Sequence, residues 1–238
     1  MQSRRTDAAG LAEVAKLIAN GPRAAMLDLL MDGQAYPAGV LAREAGVAAS
    51  TASGHLGALA NRGLVTIERV GRQRRYRLSG WEVAHAIESL SALAPTIGVP
   101  SLRQSTRAGQ LRRARTCYDH LAGRLGVAVT ESFVARRALW EIDDAFEMTP
   151  SGRSLFEGIG IDVERARRRK RGFALLCQDW TERRTHLAGA LGAAVCDRFI
   201  DLAWIRRRPR ERSVILTDEG VKQLTVLGIE LESALRAG

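Results

Sequence analysis

"ASTASGHLGALANRGLV" (residues 49–65) repeats leucine at helical spacing while packing small hydroxylated residues into its first turns. Set on a helix from about Ala48 to Asn61, Ala52, Leu56 and Leu59 fall at i, i+4 and i+7 and make one apolar face. Ser50, Thr51, Ser53, Gly54 and His55 are left toward the other side. A helix that enters the DNA major groove needs this division, because an apolar rear fixes it to its domain and a front of small residues lets it approach base edges and phosphates. Hydroxyls can donate or accept there, and the positive end of the helix dipole favours phosphate. Taken without its surroundings, the same front is equally an N-cap cluster with Ser50 as the cap.

The surroundings favour DNA. Upstream, "GLAEVAKLIAN" (10–20) and "PRAAMLDLLMDG" (22–33) predict two helices, the second opened by Pro22 and ended by Gly33, and "AGVLAREAG" (38–46) predicts a short third. Downstream the period changes to two. In "LVTIERVGRQRRYRLS" (64–79), Val65 and Ile67 alternate with Thr66 and Glu68, and Tyr76 and Leu78 with Arg75 and Arg77, which predicts a β-hairpin turning at Gly71. Arg69, Arg72, Arg74, Arg75 and Arg77 line that hairpin, placing arginines beside the helix where they can reach the DNA backbone or the minor groove. "WEVAHAIESLSALAP" (81–95) predicts a closing helix, and "TIGVPSLRQSTRAGQ" (96–110) reads as a linker.

The run "LAREAGVAASTASGHLGALANRGLVTIERVGRQRRYRL" (41–78), within this order of helices and hairpin, resembles the winged helix-turn-helix of the arsenic-repressor (ArsR) family of bacterial regulators. The resemblance covers roughly residues 10–95 and rests on the paired "LA" and "AGV", on Ser53, His55 and Leu56, on the "RGLV" exit and on the Gly-Arg wing. It implies a homodimer that represses transcription from operator DNA and is released by an effector. Apolar stripes on the first and last helices (Leu11, Val14, Leu17, Ile18; Val83, Ile87, Leu90, Leu93) independently call for a partner surface. The family's metal sensors carry a cysteine pair in the third helix, which "YPAGVLAREAG" lacks, and Glu82, His85 and Glu88 do not reproduce the family's ligand set on the last helix.

Composition agrees with a polyanionic partner: the 238 residues carry a formal charge of +10, although only Lys16, Lys170 and Lys222 are lysines, an arginine bias that a GC-rich genome also produces. With 46% hydrophobic residues, no apolar run long enough to span a membrane and no signal-peptide core, the chain is expected to be cytoplasmic. Its three cysteines are too few and too widely spaced for a disulfide framework. No GxxxxGK[ST], HExxH, GxSxG or strand-borne GxGxxG is present, and an enzyme is not expected.

The remainder repeats itself. "HLAGRLGVAVTESF" (120–133) recurs as "HLAGALGAAVCDRF" (186–199), and "MTPSGRSLFEGIGI" (148–161) recurs as "LTDEGVKQLTVLGI" (216–229) in the same order. Each copy is read as helix, helix, short hairpin and a closing helix capped by Thr149 or Thr217. The expected fold is therefore mainly α with small β-hairpins (α+β): a winged helix-turn-helix DNA-binding and dimerisation domain (1–95), a linker (96–110), and a sensor domain (111–238) of two tandem winged-helix-like repeats, about 111–164 and 173–238.

"CYDH" (117–120) and "CQDWTERRTH" (177–186) both lead into the repeated His-Leu-Ala-Gly block. On a helix Cys117 and His120 would share a face at i, i+3 and could bind a soft or borderline metal or act as a redox sensor, whereas Cys177 and Asp179, at i, i+2, would need a loop or helix start to converge. Asp119 and His186 are the other candidate effector or metal residues of the two stretches. Arg183 and Arg184 offer instead a pocket for an organic or anionic effector, and Trp140, Trp180 and Trp204 could line it. Packing alone also accounts for buried cysteine and tryptophan. Two basic runs, 165–172 and 206–212, suit flanking phosphates or plain solvation. The expected function is a dimeric, sequence-specific repressor of operator DNA released by an effector; a redox- or metal-responsive thiol sensor is the alternative, and an architectural DNA protein comes after it.

Overall fold

The computed structural model describes residues 8–94 and 102–231, and the chain divides into two units, one ending at Ala84 and the other beginning at His85. In the first, α1 (Ala8–Ile18), α2 (Gly21–Leu30), β1 (Tyr36–Pro37), α3 (Ala38–Glu44), α4 (Ala49–Asn61), β2 (Val65–Val70) and β3 (Gln73–Leu78) follow in order. The Asn20 side chain accepts the Arg23 N–H to cap α2, and Pro22 sits in the first turn, where its missing N–H has no intrahelical partner to lose. Arg23 in turn donates to the Lys16 and Leu17 carbonyls, which ties down the end of α1. Leu27 and Leu30 on α2, Leu41 on α3, Leu56 and Leu59 on α4, and Val65, Tyr76 and Leu78 on the strands are buried. Each leucine so enclosed favours the fold by about 1.5–3 kcal/mol.

β2 and β3 pair antiparallel from Val65–Leu78 to Val70–Gln73, and β1 adds to the far edge of β3, giving the order β1-β3-β2. Gly71 takes φ +59° at the first central position of the two-residue turn, which mirror-image hairpin turns reserve for glycine. α5 (Trp81–Leu93) starts in this unit and runs on into the next. Residues 95–101 of the expected linker lie outside the described residues. Its later part is helical: α6 spans Leu102–Arg113, a stretch that carries no proline and a single glycine.

The second unit corrects the local reading of the repeat. Each copy leads with a hairpin where a helix was expected: β4 (Arg115–Cys117), β5 (His120–Ala122), α7 (Gly123–Ala135), β6 (Leu139–Ile142), β7 (Ala145–Met148) and α8 (Pro150–Gly158) make the first succession. After α9 (Val163–Arg167), the same succession returns as β8 (Leu175–Gln178), β9 (Thr185–Ala188), α10 (Gly189–Asp201), β10 (Ile205–Arg207), β11 (Val214–Leu216) and α11 (Asp218–Val226). The repeated "HLA" residues form the strands β5 and β9, and the glycine after each opens the helix. Thr149 and Thr217 do cap α8 and α11, each accepting an N–H at 2.9 Å from Gly152 and Gly220.

The later hairpin of each half joins the leading hairpin of the other. β7 pairs with β8 through Ala145–Leu175, and the Phe146 N–H donates to the Ala174 carbonyl, giving a sheet of order β6-β7-β8-β9. In the same manner Ser213, just before β11, bridges to Arg115 of β4, and the Val214 N–H donates to the Ala114 carbonyl. Phe133, Phe156, Phe199 and Leu191 fill a core to which both halves contribute, with Phe133 and Phe156 edge to face at 5.0 Å. α7 and α10 bring Gly126 and Gly192 so close to the preceding strands that an added Cβ would lie 2.5 Å from the Leu121 carbonyl oxygen and 2.4 Å from that of Leu187.

Candidate functional sites

α4 shows the division read from its sequence. Ala52, Leu56 and Leu59 are fully buried, whereas Ser50, Thr51, Ser53 and Gly54 are exposed and His55 is half-buried. The helix begins at Ala49 after Ala48, which has no side-chain cap hydrogen bond, so Ser50 is a residue of the first turn and not the cap. The first N–H groups of α4 consequently receive no side-chain acceptor at the N-cap. Ser53 Oγ donates back to the Ala49 carbonyl at 2.9 Å, and nothing stands within 4 Å of a Cβ built on Gly54. On the hairpin Arg69, Arg72 and Arg74 are exposed and Arg75 is half-buried, while Arg77 pairs with Glu68 at 2.8 Å.

The second site lies in the C-terminal unit. Cys117 and His120 are not on a helix: they face each other as register partners across β4 and β5, where Tyr118 takes φ +61° in the tight turn. Cys177 and His186 are register partners across β8 and β9. The two hairpins bring these four side chains together, and one ligand atom from each lies within 4.8 Å of all the others, every residue buried. The two sulfurs are 3.9 Å apart, all three cysteines are free thiols, and the imidazoles of His120 and His186 stack at 5.1 Å.

His186 has no exposed surface, yet neither ring nitrogen has a hydrogen-bond partner, and Nε2 of His120 is likewise orphaned. A buried imidazole without partners costs free energy, and a bound cation is one way to satisfy it. Burial pushes the His186 pKa down and holds the ring neutral, the form that ligates metals. The Cys117 thiol is pushed far up by its hydrogen bond to Cys177 and by burial. In His120 burial is outweighed by Cys117 and Asp119, which raise its pKa to about 9, so a metal ion would enter by displacing protons from thiol and imidazolium alike. Two thiolates and two imidazoles are a donor set that suits tetrahedral zinc and softer ions of the same charge.

Asp119 and Asp179 do not belong to the donor set, but each stands behind one histidine. Asp119 Oδ1 lies 3.4 Å from His120 Nδ1, and its other oxygen accepts from Arg171 at 2.6 Å. Asp179 Oδ2 lies 3.7 Å from His186 Nδ1, while accepting from the Gly123 N–H at 2.6 Å and from Arg115 at 3.0 Å. A carboxylate hydrogen-bonded to the ring of a ligating histidine fixes its tautomer and orientation; Asp119 makes that contact with His120, while Asp179 stands just beyond it from His186. Arg183 is exposed in the turn between β8 and β9, and Arg184 pairs with Glu131, so neither joins the cluster. Trp140 is 54% exposed and Trp204 packs on Phe199, which removes both as walls of a common pocket; Trp180 lies beneath the Arg115 guanidinium.

Sequence reasoning missed Glu88, Arg115 and Arg212. Arg115 is fully buried and donates from one nitrogen to Glu88 and Asp179, each at 3.0 Å. Arg212, from the second basic run, is buried as well and donates to the other Glu88 oxygen at 2.7 Å, where it cannot serve as a solvated phosphate contact. Burial opposes ionisation of Glu88, but Arg212 and Arg115 outweigh it and hold its pKa at about 2. An acidic residue on the polar side of an otherwise ordinary helix carried no signal of this.

No protein-family model matches the chain. It is 41% identical over 210 residues to the uncharacterized HTH-type transcriptional regulator YdfF of Bacillus subtilis, covering 88% of this chain and 93% of that protein. Over 80 residues it is 39% identical to the HTH-type transcriptional regulator CmtR of Mycobacterium tuberculosis, 34% of this chain and 67% of CmtR. A homodimeric winged helix-turn-helix DNA-binding domain from Mycobacterium bovis is also similar, 36% identical with a TM-score of 0.33, covering 39% of this chain and 87% of that one. These relatives are transcriptional regulators and not enzymes. The chain belongs to the winged helix-turn-helix transcriptional regulators related to the arsenic-repressor family and CmtR. Among the described residues no helix is long and apolar enough to cross a membrane.

Proposed function

We propose that this chain is a cytoplasmic, dimeric repressor of operator DNA whose C-terminal unit senses a thiophilic divalent metal through Cys117, His120, Cys177 and His186. The observation that carries the sensing role is the buried convergence of those four donors, with both His186 nitrogens unpartnered. It favours the metal over an organic or anionic effector: Arg183 is exposed, and Arg184 borders a cleft of about 520 Å³ in which it is already paired with Glu131, with Glu182 beside it.

Residues 1–95 act as the DNA-binding and dimerisation domain. Ser50, Thr51, Ser53, Gly54 and His55 face the major groove, and Arg69, Arg72, Arg74 and Arg75 hold the backbone or the minor groove. Dimerisation is supported by α1, which buries none of its residues and leaves Leu11 66% exposed, and by Leu90 and Leu93 at the end of α5, which are also exposed. The C-terminal unit is read as two tandem winged-helix-like copies, each adding a hairpin in front of its helix.

The test is a gel-shift titration at fixed salt with the DNA upstream of the protein's own gene against unrelated DNA, without and with Zn2+ or Cd2+. Tighter binding to the upstream DNA, weakened by metal in the wild type but not in Cys117→Ser or Cys177→Ser, is expected. Equal affinity for both DNAs refutes the operator reading, and an unchanged response in both variants refutes the metal site.

A further inference from the structure

A hydrogen-bonded line of buried charges runs from Asp179 to α5, and it begins one short gap away from the cluster. His186 Nδ1 faces Asp179 Oδ2 at 3.7 Å; Asp179 Oδ2 accepts from Arg115 Nη2, and that same nitrogen donates to Glu88 on α5. Arg212 closes the line from the other side of Glu88. Two cations and two anions thus balance in a place where side-chain exposure is 0–6%. Buried pairs of this kind add little net stability compared with an apolar packing of the same volume, and their best attested use is to fix one arrangement against another.

We infer that Asp179, Arg115 and Glu88 form a relay that reports occupancy of the Cys/His cluster to α5, the helix that continues out of the N-terminal unit. This rests on the metal-sensing reading above. Asp179 is already saturated: Oδ1 accepts from the Thr181 N–H, the Thr181 hydroxyl and the Glu182 N–H, and Oδ2 from Gly123 and Arg115. With Nδ1 of His186 turned to Asp179, Nε2 is the nitrogen left for a cation. Ligation through Nε2 places the ring proton on Nδ1. That proton competes with Arg115 for Asp179 Oδ2, and the arginine nitrogen shared between two carboxylates shifts its weight to Glu88. The carboxylate beside the other histidine leads elsewhere. Asp119 leads through Arg171 to the Gly189 carbonyl at the start of α10, so the two halves of the cluster have different outlets.

The experiment compares the wild type with Glu88→Gln, using Cd2+ as the probe, cadmium–thiolate ultraviolet absorption to read binding, and gel shift on the upstream DNA to read release. In the wild type Cd2+ should give the absorption and weaken DNA binding by about tenfold, within the usual range of couplings between sites. In Glu88→Gln the absorption and the metal-free DNA affinity should persist while the weakening falls below about twofold. Release equal to the wild type in Glu88→Gln overturns the relay and leaves the sensor standing. Absence of cadmium–thiolate absorption in the wild type overturns the sensor itself. Should Glu88→Gln fail to fold, hydrogen exchange of wild-type amides 85–93 decides: a change on adding Cd2+ supports the relay, and unchanged exchange overturns it.

Discussion

α4 and α10 are helices of 13 residues, each followed by a hairpin, yet α4 buries three of its residues and α10 eight. Both place a glycine in their first half. In α4 a methyl group on Gly54 would meet nothing, whereas in α10 one on Gly192 would run into the Leu187 carbonyl. The same succession of elements therefore serves two ends. Where β8 and β9 stand before the helix its front is filled by the protein's own chain; among the described residues of the N-terminal unit no such hairpin precedes α4, and its front stays exposed. α7, behind β4 and β5, is built like α10 and buries eight residues too.

A single change of the same kind should have opposite signs in the two helices. Gly192→Ala should destabilise the C-terminal unit by about 1–3 kcal/mol, the usual cost of overpacking, read as a lowered urea midpoint. The smaller effect is expected in α4, where Gly54→Ala should stabilise by up to about 1 kcal/mol through helix propensity alone while weakening DNA binding. Stabilisation at both positions would erase the contrast between a filled and an open front. The helix starts sharpen it further: Thr217→Ala should cost α11 about 1 kcal/mol by removing its cap, whereas α4 has no side-chain cap to remove at Ala48.

How far the sequence could be read follows from how local each signal is. α4 was legible because Ala52, Leu56 and Leu59 obey one period, and the hairpin after it because the period changes at once to two, with Gly71 at the turn. Thr149 and Thr217 were legible as caps for the same reason. The leading hairpins were not: Cys117 and His120 sit three apart, a spacing that fits a helix face as well as a two-residue turn, and Tyr118 supplies the turn's positive φ without the glycine or asparagine that marks such turns. The repeat pointed to matched cysteines and histidines, but their convergence depends on the packing of two hairpins that belong to different sheets. Glu88, Arg115 and Arg212 gave no warning, since each looks solvated until its partner is known.

The exchange of hairpins between the halves of the C-terminal unit makes each half the other's missing strand. Severed at Gly172, neither piece could close its own sheet: β7 would lose β8, and β4 would lose the segment leading into β11. Two identical copies of either piece could complete themselves only by embracing, and the embrace would set two cysteines and two histidines around an axis. The single polypeptide thus carries within itself the geometry of a pair, and the cysteine–histidine cluster at its middle takes two residues from each member.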